Sequence, residues 1–171
     1  MSISNSLILE NTQIVAGFGP VDMQSGANAG DWVSLKNYRK VAIVLFKGVG
    51  TAGDDPTLTL QQATAVAGTG AKDLTFTTIY KKQGTLSAIG QWTKVTQTAA
   101  TSYTDATSAE AAAIWVVEVN AEDLDVANGF DCVQASVADV GSNAQLGALL
   151  YLLSDPSAAA APASMPSAIV D

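Results

Sequence analysis

Much of the chain repeats with period two. TLTLQQA at Thr57–Ala63 sends Leu58 and Leu60 one way and Thr57, Thr59 and Gln61 the other, the pattern of a strand with one buried face. LTFTTIYKK at Leu74–Lys82 reads as a strand with Leu74, Phe76 and Tyr80 inward, and QWTKVTQT at Gln91–Thr98 alternates with enough polarity to face solvent. VAIVLF at Val41–Phe46 departs from alternation. An apolar run of this kind, with β-branched residues and basic flanks, predicts a strand in mid-sheet with both faces covered. IWVVEVN at Ile114–Asn120, rich in Val and Ile, predicts a strand rather than a helix. FDCVQASVADV at Phe130–Val140 and AQLGALLYLL at Ala144–Leu153 add two more, and Trp32, Val33 and Leu35 lead into the Val41 run.

Gly-rich turns such as GVGTAGDDP at Gly48–Pro56 separate these segments. About eight strands and no long helix predict an all-β fold, a β-sandwich or jelly roll spanning 31–155. ATSAEAAA at Ala106–Ala113 predicts one helical turn capped by Ser108. Residues 1–30 are rich in Ser, Asn and Gly, with one short strand at Thr12–Ala16, and are expected to form an extended N-terminal arm. The Ala/Pro/Ser-rich stretch 156–171 is expected to form a second arm, because its three prolines discourage a helix. Such an arm orders only when something receives it.

The 171 residues suit one domain with a real core. With 48% hydrophobic and 14% charged residues, the composition is that of a folded chain. No apolar run approaches the roughly 20 residues of a membrane-spanning helix. The opening MSISNSLILENTQ has neither a basic start nor a long apolar segment, so no signal peptide and no Sec export are expected. Net charge is −8 and unevenly placed: residues 1–94 carry eight bases and six acids, residues 95–171 no base and ten acids. Nucleic acid is therefore not an expected partner, since phosphate contacts need clustered positive charge. The asymmetry suits a protein that orients on a partner surface, or an acidic protein kept apart from its own copies.

Catalytic chemistry finds little to use. The chain has no histidine, which removes Ser-His and Cys-His nucleophile arrangements and the commonest zinc ligand. GVGTAG and AGTGA lack the Lys-Ser/Thr of a phosphate-binding loop and read as turns. Glu118 and Glu122 are the candidate pair for glycoside hydrolysis, without the aromatic cleft such chemistry favours. AEDLDVANGFDCV at Ala121–Val133 crowds Glu122, Asp123, Asp125 and Asp131, inviting a calcium reading. An EF-hand starting at Asp123 would place Ala127 at position 5, Asn128 at 6 and Gln134 at 12, so the pattern fails. A corner between strands is predicted instead, with Leu124 and Val126 inward and Asn128-Gly129 supplying a positive-φ step. Cys132 is the single cysteine, and alternation places it inside. No catalytic residue, cofactor or metal ligand is assigned.

WVSLKNYRKVAIVLFKG, DDPTLTLQQATAVAGTGAKDL, IWVVEVNAEDLDVANGFDCVQASVADVG and LGALLYLLSDP together resemble the head decoration, or cement, proteins of tailed bacteriophages, over roughly Asp31–Pro156. The resemblance implies a β-sandwich or jelly-roll body, homo-oligomers (dimer or trimer), the major capsid protein as partner, and a place on the capsid surface after synthesis in the host cytoplasm. It carries no active site. Deleting the N-terminal arm is then expected to weaken capsid binding and spare the fold. Two alternatives remain open. One is another phage component: tail tube, head completion or fibre. The other is a carbohydrate-binding sandwich, which would show Trp32, Trp92 or Trp115 at the surface as a sugar platform.

Overall fold

The structure, a computed structural model, describes residues 7–107, 111–158 and 160–170. Among them are twelve strands in two antiparallel sheets, an all-β sandwich. Eight are long: β1 (Thr12–Asp22), β4 (Tyr38–Lys47), β5 (Thr57–Ala63), β7 (Phe76–Gln83), β8 (Thr93–Ala100), β10 (Ala113–Asn120), β11 (Cys132–Val137) and β12 (Leu146–Pro156). Four pieces of two or three residues complete the set: β2 (Asn28–Ala29), β3 (Val33–Ser34), β6 (Lys72–Asp73) and β9 (Ser102–Thr104). The first sheet runs β1-β12-β4-β10-β7-β8; the second runs β2-β11-β5-β6, with β3 also on β11 and β9 on β5.

Alternation turns one face of each sheet inward. Ile43, Leu45, Trp115, Val117, Leu149 and Leu153 from the first sheet meet Leu58, Leu60, Val133 and Val137 from the second, all buried. Trp115 lies edge-on to Tyr103 with ring centroids 5.0 Å apart. The Tyr151 hydroxyl crosses the core and accepts the Ala135 N–H at 2.9 Å. Burial raises its phenol well above the ordinary tyrosine value. Gly30 makes room for this crossing, since a Cβ there would sit 2.6 Å from the Tyr151 oxygen and 2.7 Å from the Ala135 carbonyl.

Several expectations are corrected. The N-terminal segment is no free arm from Thr12 onward: β1 is an 11-residue edge strand paired with β12 from Thr12↔Ser154 to Asp22↔Leu146. Val15, Phe18 and Val21 pack against the core, and Met23 is fully buried. Local glycines and Pro20 masked this strand because the β1 register breaks twice, after Ala16 and after Phe18, which obscures strict alternation. Removing this segment is therefore expected to cost the fold rather than spare it.

The C-terminal stretch carries a 3-10 turn at Pro162–Ser164, and the body itself receives it. Ala168 is buried, its carbonyl accepts the Ser34 N–H at 2.7 Å, and the Tyr38 hydroxyl donates to the Pro166 carbonyl. Tyr80 points outward rather than inward. The β7–β8 register shifts between Phe76 and Thr78, so Ile79 takes the inward place. Of the predicted helical turn, Ala106 and Thr107 lie in a turn and Ala113 opens β10, while residues 108–110, with Ser108, fall outside the described residues. The largest departure concerns Val41–Phe46, which is central in its sheet but covered on one face only.

Candidate functional site

The acidic corner is consumed by its own turn. Asn120 donates its backbone N–H and its side-chain amide to Asp123 Oδ2 at 2.8 and 2.9 Å. Asp125 pairs with Lys72 and accepts from Asn128 Nδ2 at 2.9 Å, contacts that hold its carboxyl below the usual range. Gly129 supplies the left-handed step at φ 80°. Leu124 is inward as predicted, whereas Val126 is 59% exposed because a 3-10 turn at Val126–Asn128 swings it out. Among the described residues, no group of three or more His, Cys, Asp or Glu is placed to hold a metal ion.

Glu118 and Glu122 do not converge. Glu118 lines a hollow of about 380 Å³ with Thr78 and Asp123, and Glu122 lines a separate groove of about 680 Å³ with Arg39 and Asn120. A Lys40–Asp155 ion pair at 2.9 Å lies in that second groove. The tryptophans are dispersed too. Trp115 is buried, Trp32 is half-buried under the Gly68 turn, and Trp92 is exposed with the Lys82 ammonium 4.8 Å from its ring centroid.

The most buried ion pair is structural. Asp105 receives Lys81 Nζ, the Thr107 N–H at 3.0 Å and the Thr107 hydroxyl at 2.8 Å. Burial raises its carboxyl, but these donors outweigh burial and hold it at about 2, against 3.8 for an ordinary aspartate. A depressed folded-state value means stabilisation that is complete above about pH 4 and lost as pH falls through about 2. Asp105→Asn is therefore expected to melt below the wild type at pH 7 and to converge with it near pH 2. Thermal unfolding across that range checks this; a constant gap would contradict it.

What remains is a face. In the first sheet the side chains pointing away from the second form three registered rows. The first is Ile14–Leu152–Ala42–Glu118, the second Ala16–Leu150–Val44–Val116–Tyr80–Lys94, and the third Ala148–Phe46–Ile114–Lys82. Phe46 is 51% exposed, Ile14 49% and Leu150 39%. Strand spacing of about 4.8 Å and a row spacing of about 6.8 Å give the eleven uncharged positions of these rows an extent on the order of 360 Å². A patch of that size is at the level where apolar surface on a monomer marks a binding site. The adjacent strands β12, β4 and β10 are each apolar in both phases over their middles, the signature of double-sided burial. Among the described residues, a second sheet covers one side alone.

Of these face residues the sequence reading singled out Glu118 alone, as half of a glycosidase pair and not as part of a surface. The available signal was the unbroken apolar run in VAIVLF, repeated in ALLYLL and IWVV once the register sets them side by side. Fold and surface together define an all-β sandwich with one open apolar sheet face. The chain matches no protein-family model and no curated protein sequence. No helix among the described residues is long and apolar enough to cross a membrane.

Proposed function

We propose that this protein is a structural component of a tailed-bacteriophage virion, a decoration or cement protein that binds the outside of the capsid and stabilises the head lattice. One observation carries the reading: an open apolar sheet face whose strands have the composition of strands buried on both sides. The resemblance over Asp31–Pro156 and the all-β body support it. Binding of the assembled lattice in preference to free subunits stabilises the shell by mass action. Such work needs rigid strands and a complementary surface, and no bond is made or broken.

Electron-microscopic reconstruction of purified particles tests the proposal. The expected result is density of this fold in many copies on the outer capsid surface. Density confined to the tail, tail tube or neck would assign a different structural role, and a particle lacking the protein would overturn the reading.

A further inference from the structure

The C-terminal segment lies in a slot at the outer edge of β3. We infer that this slot is a docking site for a peptide segment with a small residue, filled here by the chain's own tail and open to a partner's. Two edges of β3 face different neighbours. Val33 pairs with Val133 on β11, and the Leu35 N–H donates to the Asp131 carbonyl at 2.7 Å on the same side. Ser34, between them, turns its N–H the opposite way, as alternation along a strand requires. It donates to the Ala168 carbonyl at 2.7 Å. The tail thus takes the place of a next strand, on an edge with which no strand among the described residues pairs.

Two residues before Ala168, the Pro166 carbonyl accepts the Tyr38 hydroxyl; Ser167 between them is exposed, and Ala168 is 1% exposed. Met165 packs on the core from extended backbone at φ −61° and ψ 141°. The body therefore reads two main-chain carbonyls and one small side chain, which any segment of like shape supplies. A longer side chain in place of Ala168 would have to displace core atoms, so the small residue is required. The attachment is slight beside the ladders of the fold. Among the described residues of 160–170, only these two hydrogen bonds reach the body, and an exposed 3-10 turn at Pro162–Ser164 leads into them. Contacts this few open locally far more often than the whole molecule unfolds. The tether keeps the tail at an effective concentration on the order of millimolar, so an outside segment competes when a bound partner holds it nearby at a similar level. The slot is built on the second sheet, and filling it leaves the open face of the first sheet free.

Amide hydrogen exchange of the full chain tests this with two neighbouring groups, since the Leu35 N–H donates to the body and the Ser34 N–H to the tail. In the wild type Ser34 is expected to exchange at least ~100-fold faster than Leu35. Tyr38→Phe, which loses the hydroxyl contact, is expected to speed Ser34 by about fivefold more and leave Leu35 unchanged. Ala168→Asp is expected to release the tail, with Ser34 unprotected and the circular dichroism of the body preserved. A synthetic peptide of residues 161–170 at about 1 mM is expected to slow Ser34 in that variant at least ~threefold, and the same peptide carrying Ala168→Asp to have no effect. Equal exchange of Ser34 and Leu35 in the wild type would make the tail a fixed part of the fold and overturn the inference. So would an Ala168→Asp chain that fails to fold, or one whose Ser34 stays unprotected under the peptide.

Discussion

Trp115→Ala is expected to cost about 3–5 kcal/mol of unfolding free energy, the largest loss from any single substitution considered for this chain. Trp115 is fully buried near the start of β10, opposite Leu45 on β4 and Lys81 on β7, and its ring meets Tyr103 edge-on. Removing the indole leaves a cavity that flanking strands on both sides prevent from closing, and it abolishes the aromatic contact as well. Domains of ordinary size hold about 5–15 kcal/mol in total, so the variant should lie near the edge of folding at 37 °C. Urea unfolding followed by circular dichroism measures the change. A loss below about 1 kcal/mol would mean that the core relaxes around the missing ring and is not the close-packed layer described above.

The second large effect concerns the N-terminus. Removing residues 1–11 is expected to leave the melting temperature almost unchanged, because that cut ends before β1 begins at Thr12. Removing residues 1–22 is expected to abolish soluble folded protein. It strips Val15, Phe18 and Val21 from the core and uncovers β12 from Leu146 to Ser154. It also takes away Gly17, whose Cα packs on Leu149 and Tyr151 so closely that a Cβ would lie 2.6 Å from a Leu149 methyl. The Gly17 carbonyl, which accepts the Asp31 N–H at 3.0 Å, goes with it. A long edge strand laid bare beside an open apolar face is a template for aggregation. Soluble yield and amide hydrogen exchange of the two truncations give the comparison; a folded 1–22 deletion would show β1 to be an accessory strand.

The same architecture explains why the protein can expose so much apolar surface and remain folded. Core residues from the two sheets form one cluster between them, so the outward rows of the first sheet contribute little to holding the sandwich together. Phe46 and Leu150 can therefore be changed to charged residues at small cost to stability. Trp115 and Leu149 point the opposite way from the same strands and cannot.

The sequence alone determined most of the long strands and which side of most of them is buried. Period-two alternation is a local property, so Leu58 and Leu60 in β5, the failed calcium spacing of Asp123–Gln134 and the Asn128-Gly129 step were all legible from a few neighbouring residues. The tertiary structure decided what depends on pairings distant in the chain: β1 joined to β12, the Ala168 and Pro166 carbonyls received by Ser34 and Tyr38, and Tyr80 turned outward by a register shift. It also decided the open face. VAIVLF announced a strand with two apolar sides, but only the placement of β12, β4 and β10 side by side, with a single sheet to cover them, shows that among the described residues one side is left uncovered. Burial is a relation between segments, and a run of residues encodes its own demand for cover without encoding what meets it.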